Sequence, residues 1–232
     1  MTGYRFADAA DGLALGAFLE RLLALDKAAA VRLVGVGPVA AAYGAPPLHG
    51  SASRGVTVLV VRTAALAPDS PPFDRTVVAG QLLNAISADS HDFTLPEALL
   101  GGPSWAGLLP PRTGWQPLGE MMVRQLSEAV AQGNADFRFG ALGRDRAGLD
   151  ALAEEIWTRE FPLGLRWRAA HAASVMGFLG PETTNGGAAA RVARVAAHNR
   201  WLRLDAPFGT VIERTTGNEA AEPTRETRNG HR

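Results

Sequence analysis

The sequence predicts an α+β fold in two subdomains, and three observations carry that expectation. The first hundred residues alternate one amphipathic helical stretch with several short β-branched runs, the pattern of a helix followed by a small, mostly antiparallel sheet. The stretch Gly101–Glu120 holds five glycines, four prolines and two of the five tryptophans. Proline removes a backbone donor and glycine weakens regular structure, so this stretch is neither helix nor central strand. Beyond it the apolar residues recur at helical spacing, and the chain closes on three short strand-like runs. The expected division is 1–100 as an α+β subdomain, 101–117 as a crossover, 118–216 as a helical subdomain with a terminal β-meander, and 217–232 as a solvated tail.

Taken in order, Asp8 or Asp11 can cap a helix running to about Ala30, with Leu15, Phe18, Leu19, Leu22 and Leu23 on one face. Val31–Val36 reads as a strand, Gly37–Pro38 as a turn and Val39–Tyr43 as a weaker returning strand. Gly44–Gly55 is a loop. Val56–Arg62 is apolar and β-branched enough to be a central strand. Ala67–Pro72 is a proline loop, Phe73–Val78 a strand and Gln81–Ile86 a short helix. In the crossover, Trp105, Leu108, Leu109, Trp115 and Leu118 are costly to leave in water, which predicts an ordered segment and not a flexible linker.

After the crossover, Leu118, Met122, Leu126 and Val130 stand four apart, predicting a helix over Leu118–Ala131. Asp136–Gly140 reads as a short strand. In Ala147–Trp157 the apolar residues Leu149, Leu152, Ala153, Ile156 and Trp157 follow helical spacing. Phe161–Gly164 breaks that helix, and Leu165–Leu179 resumes it until Gly180–Pro181. Glu182–Ala188 is a loop. Val192–Ala196, Trp201–Asp205 and Thr210–Arg214 form the meander, turning at His198–Asn199 and Pro207–Gly209. The order helix, short strand, helix, helix, strand, strand is shared with a winged helix. No internal repeat is visible.

Composition narrows the function classes. The 23 basic and 23 acidic residues cancel, so net charge points to neither nucleic acid nor membrane. The absence of cysteine excludes disulfides, thiolate metal sites and cysteine nucleophiles. No apolar run reaches membrane-spanning length and no leader pattern opens the chain, which predicts a cytoplasmic protein.

Motif by motif, structural explanations win. Gly35–Ala40 matches G-x-G-x-x-A after a strand, the pattern of a dinucleotide-binding turn, but Gly44, Pro46 and Pro47 stop the helix such a turn requires. A hairpin explains the same glycines. Gly102–Gly107 has its serine misplaced for a nucleophile elbow, and Ser90–His91–Asp92 are neighbours whose side chains diverge. The five histidines show no ligand spacing. No cofactor, metal or catalytic residue is therefore expected. Arg166 and Arg168 open the third helix of the second half, and Arg191, Arg194 and Arg200 lie on the meander. On a winged helix these five would be the nucleic-acid contacts.

The phrases PSWAGLLPPRTGWQPLGE, LDALAEEIW, AAHAASVMGFLG and WLRLDAPFGTV resemble an uncharacterised family of actinomycete proteins of about 230 residues. That resemblance transfers no activity and no site residue. The expected function is a non-enzymatic binding or regulatory protein acting through contacts with an unknown protein partner or with itself, and Trp105 and Trp115 are the candidate interface. A DNA-binding regulator is the alternative, and an enzyme using a nucleotide cofactor at Gly35–Ala40 a minor one.

Overall fold

The computed structural model describes residues 3–48, 57–181 and 191–214. The expected tail 217–232 and most of the expected loops 44–55 and 182–188 lie outside them. Helix α1 (Ala9–Leu25) starts where Asp8, in extended conformation, accepts a hydrogen bond from Ala10 N at 2.8 Å. Leu15, Phe18, Leu19 and Leu22 are its buried face, each worth about 1.5–3 kcal/mol when removed from water. The helix ends five residues earlier than expected because Asp26 folds back on the chain. Its carboxylate accepts from Ala28 N at 2.9 Å and its carbonyl from Ala29 N at 3.0 Å, a local turn that competes with the helix.

The strands β2 (Ala30–Val36), β3 (Val39–Gly44), β4 (Thr57–Ala65) and β5 (Phe73–Val78) are followed by the short helix α2 (Ala79–Ala85). Two short strands, β1 (Gly3–Arg5) and β6 (Asp92–Thr94), pair with each other and are too brief for periodicity to reveal. In the second half β7 (Gln116–Met122) leads into α3 (Val123–Gly140), α4 (Arg146–Trp157) and α5 (Trp167–Val175), then β8 (Val192–His198), β9 (Trp201–Ala206) and β10 (Gly209–Arg214).

Eight strands form one antiparallel sheet in the order β5-β2-β3-β4-β10-β9-β8-β7. Each half supplies four neighbouring strands, and the halves join along β4 and β10, with Val211 opposite Val60. The order reads alike from both edges: an outer strand, then the first, second and third strands of a meander. No sequence repeat announces this repeated arrangement. The last three strands, with β7, are therefore half of a large sheet, and not the hairpin of a winged helix.

Three second-half expectations need correction. Residues 116–122 are strand, not helix: Met121 is buried in the core while Leu118 is 36% exposed, and Pro117 is tolerated because β7 is an edge strand. Residues 136–140 are the last turns of α3, not a strand. Gln132 bonds Asp136 at 2.7 Å and Ala141 N bonds Phe137 O at 2.9 Å, so the Phe137/Phe139 alternation leaves Phe139 exposed on a helix end. Helix α5 covers nine residues of the expected fifteen. Gly177, at φ 70°, allows Phe178 N to bond Ala173 O at 2.7 Å, a helix stop that glycine adopts without steric cost.

The principal core lies between one face of the sheet, including Val31, Leu33, Val60, Val195 and Val211, and helices α1, α3 and α5. The other face carries Tyr43, Leu59, Val61, Trp201 and Ile212, against which Trp105, Leu109 and Trp115 of the crossover pack. The crossover, expected as an ordered segment, covers the second face of the sheet.

Candidate functional site

The sequence-predicted arginines do not share a surface. Arg168 and Glu213 are fully buried between α5 and β10, with Arg168 Nε 3.7 Å from Glu213 Oε1. Arg168 Nη2 also donates to Glu154 Oε1 at 2.9 Å, and Arg166 lies 3.6 Å from Glu213 and 3.9 Å from Glu160. Burial pushes the Glu213 carboxyl upward, while Arg168 and Arg166 oppose the shift. A guanidinium enclosed in this way cannot reach a phosphate, which removes Arg168 from the expected nucleic-acid contacts. Arg194 is exposed beside Glu120 at 3.3 Å, on a strand whose neighbours Ala193 and Val195 face the helix layer; alternation points Arg194 to the opposite face. Arg200 is exposed at the β8–β9 turn. The five do not converge as a groove-binding surface would require.

Gly35–Ala40 is the β2–β3 hairpin, with Val36 opposite Val39 and Gly37 at φ 56°. Gly35 leaves the space that the Phe73 ring fills. With no helix N-terminus at this turn, it has no device for holding a pyrophosphate. The candidate interface residues Trp105 and Trp115 are half-buried on the sheet. Trp115 Nε1 donates to Pro111 O at 2.9 Å and the Arg203 guanidinium lies 5.6 Å from its ring centre, so much of their surface is used within the chain.

His171 stacks on Trp157 with ring centres 3.9 Å apart, and burial lowers its pKa to about 4. It is a packed, neutral histidine at neutral pH. Among the described residues no three His, Cys, Asp or Glu side chains are grouped to hold a metal ion, and no helix is long and apolar enough to cross a membrane.

The cavity that the sequence does not announce lies where the two halves meet. A groove of about 460 Å³ runs between α1 and the chain after α5. Ala14, Ala17, Phe18 and Arg21 form one wall, spaced as one face of a helix. Met176, Phe178 and Phe208 bring large apolar groups from the second half, and Arg62 of β4 contributes from the sheet. Positive φ at Gly177 and Gly180 shapes the opposite wall. A Cβ at Gly177 would lie 2.6 Å from the Arg21 guanidinium carbon, so glycine there lets Arg21 rest against the backbone. Arg62 donates to the Phe208 carbonyl, and Arg191 lies over the Phe208 ring at 5.9 Å while donating to Pro181 O at 3.0 Å. In the sequence its residues are scattered over α1, β4 and the segments after α5 and β9, so no local signal marks the site.

An antiparallel sheet shared equally by two halves and backed by helices is an architecture seen in solved proteins. The chain is similar to the crystal structure of the DNA polymerase sliding clamp from Pseudomonas aeruginosa with ligand: TM-score 0.51, 11% identity, covering 95% of this chain and 66% of the clamp chain. A structure of the DNA polymerase III subunit beta from the same organism aligns at TM-score 0.49 and 14% identity, over 89% of this chain and 64% of that one. The chain thus spans slightly less than two thirds of these relatives, and the first likeness establishes a sliding-clamp-like fold. Residues 1–107 match the family model described as a domain of unknown function, DUF8010, and residues 110–218 match another, DUF8185. The boundary between them falls in the crossover. No curated protein matches the chain in sequence.

Proposed function

We propose that the protein is a non-enzymatic binding module that works through protein–protein contact, and that the groove between its halves is the contact site. The observation that supports this is the groove itself: apolar side chains from both halves and the cations Arg21 and Arg62 surround a half-open space, and among the described residues none of its lining is a carboxylate or a histidine that could serve as a general acid or base. The clamp-like fold is compatible with the same function, since the structure it resembles at TM-score 0.51 is described as a DNA polymerase sliding clamp. Regulation of the partner is part of the proposal, because a module with no chemistry of its own acts by occupying or positioning another protein.

The test is site-specific photo-crosslinking in the cells that make the protein. A photoreactive phenylalanine analogue replacing Ala17, in the groove, is expected to give a discrete adduct. The same analogue at Leu100, exposed and outside the groove, is expected to give none. The adduct mass separates a foreign partner from a second copy of the chain. Equal adducts at both positions, or none at either, would remove the groove as a protein contact site.

A further inference from the structure

The groove has a charge pattern that selects its occupant. Among the described residues, Arg21, Arg62 and Arg191 are three of the arginines that take part in no ion pair, and they gather at the groove. All three contact the groove wall, two of them through Phe208. Of the other buried or half-buried arginines, Arg32, Arg159, Arg166, Arg168 and Arg203 are matched to acids, and Arg214 lies over the Trp201 ring. At the groove, half-buried Arg62 and Arg191 form no ion pair, and among the described residues no aspartate or glutamate lines it. Arg62 adds a second sign: its Nε is buried without a hydrogen-bond partner, although its Nη1 is engaged. A buried donor left unmet is costly, and a ligand acceptor relieves the cost.

Resting on the protein-binding function above, we infer that the occupant is an acidic peptide segment carrying a large apolar side chain. Phe18, Phe178 and Phe208 offer an apolar seat, and the volume suits one or two side chains. A carboxylate beside the apolar residue meets Arg21 from the α1 wall and Arg62 from the sheet. Carboxylates pair with guanidinium through charge-assisted hydrogen bonds in a fixed fork geometry. The apolar share of the lining favours such a peptide over a nucleic-acid backbone, whose phosphates need cations but present no aliphatic or phenyl anchor for the phenylalanine-lined seat.

The experiment is fluorescence anisotropy on the full chain. The probe is a fluorescein-labelled peptide alternating glutamate with leucine and phenylalanine, beside its lysine-for-glutamate counterpart and labelled oligothymidylate. The acidic peptide is expected to bind at low ionic strength and to weaken as salt screens the arginines. Arg21→Glu is expected to reduce affinity about tenfold or more, and Arg62→Gln similarly, since each removes a charge-assisted contact. Arg144→Glu, outside the groove, is expected to leave binding unchanged. If Arg62→Gln does not fold, Arg21→Glu on the exposed surface of α1 carries the test alone.

No binding of the acidic peptide at low salt overturns the inference, as does equal binding of the lysine peptide. Affinity unmoved by Arg21→Glu in a folded protein does the same. Oligothymidylate bound with the same arginine dependence, in place of the peptide, would assign the groove to nucleic acid instead. A crosslinked partner at Ala17 together with failure of the acidic peptide leaves protein binding standing and removes only this occupant; failure of both removes both.

Discussion

Replacing Arg168 with methionine tests how much the buried charge network contributes. In the parent, Glu213 has no solvent exposure and its Oε1 is 3.7 Å from Arg168 Nε and 3.6 Å from Arg166 Nη1. Methionine fills much of the arginine's stem volume but leaves the carboxylate with only Arg166, whose side chain is partly exposed and shared with Glu160. Removing one partner of a buried pair costs about 3–5 kcal/mol, because the desolvated charge that remains is uncompensated. Against a typical domain stability of about 5–15 kcal/mol this is a large loss. The loss should depend on pH. Burial already raises the Glu213 carboxyl above its ordinary range, and without Arg168 it rises further. A carboxyl raised on folding destabilises as pH climbs through its folded value, and the penalty fades below the unfolded value near 4.3. Urea denaturation followed by tryptophan fluorescence should therefore show Arg168→Met most destabilised near pH 8 and progressively less so toward pH 5. Adding Glu213→Gln should recover part of the loss, with a coupling of about 1–3 kcal/mol in the double-mutant cycle. A loss below about 1 kcal/mol, or one indifferent to both pH and Glu213→Gln, would refute the assignment of this network as a coupled buried pair.

Other outcomes follow from individual contacts. Gly12 and Gly16 lie one turn apart on α1, yet a Cβ at Gly12 would overlap the Ser90 carbonyl while one at Gly16 meets only Leu83 Cδ1 at 3.8 Å. Gly16→Ala should raise the urea midpoint by about 0.5–1 kcal/mol equivalent and Gly12→Ala should lower it; the same sign for both would contradict the packing of α1 on the Ser90 turn. His171, lowered from 6.5 to about 4 by burial, binds fewer protons folded than unfolded between those values. Stability should be level above pH 6.5 and fall by up to about 3 kcal/mol as pH drops toward 4; a His171→Phe variant should show a flatter profile, and an imidazole resonance titrating near 6.5 in the folded parent would exclude it. Trp115→Ala removes the hydrogen bond to Pro111 and part of the cover over the sheet, and should lower stability by about 1–3 kcal/mol in the same denaturation assay.

How much of this was legible in the sequence varies by element. The strands of the first half were readable because Val31–Val36, Val56–Arg62 and Phe73–Val78 combine β-branched residues with clear turn signals. The central place of β4 followed from its apolarity, since a strand buried on both faces cannot alternate. The edge strand β7 was hidden because Leu118, Met122, Leu126 and Val130 keep helical spacing by coincidence across a strand–helix boundary. The DFRFG segment misled for the opposite reason: two aromatics at i and i+2 imitate a strand, whereas one of them sits exposed at a helix end. The arginines near residue 167 were visible, but their burial was not, because the acid that neutralises Arg168 comes from β10, distant in sequence. For the same reason the groove could not be anticipated. Its walls come from residues 14–21, 62, 174–181 and 208, brought together only by the joining of β4 to β10.

That seam also has a temporal consequence. Strand β10 is made long after β4, and the ladder between them, Thr57–Val61 against Thr210–Arg214, is a pairing of high sequence separation that closes late. During synthesis the first half holds β2, β3 and β5 together while the outer edge of β4 stays open. Its Leu59 and Val60, fully buried in the finished protein, border unpaired backbone groups until β10 arrives. An open, apolar strand edge of this kind invites pairing with another nascent chain. Ribosomes stalled within the second half should therefore display a species bound by chaperones, released only when the segment through Arg214 has cleared the exit tunnel.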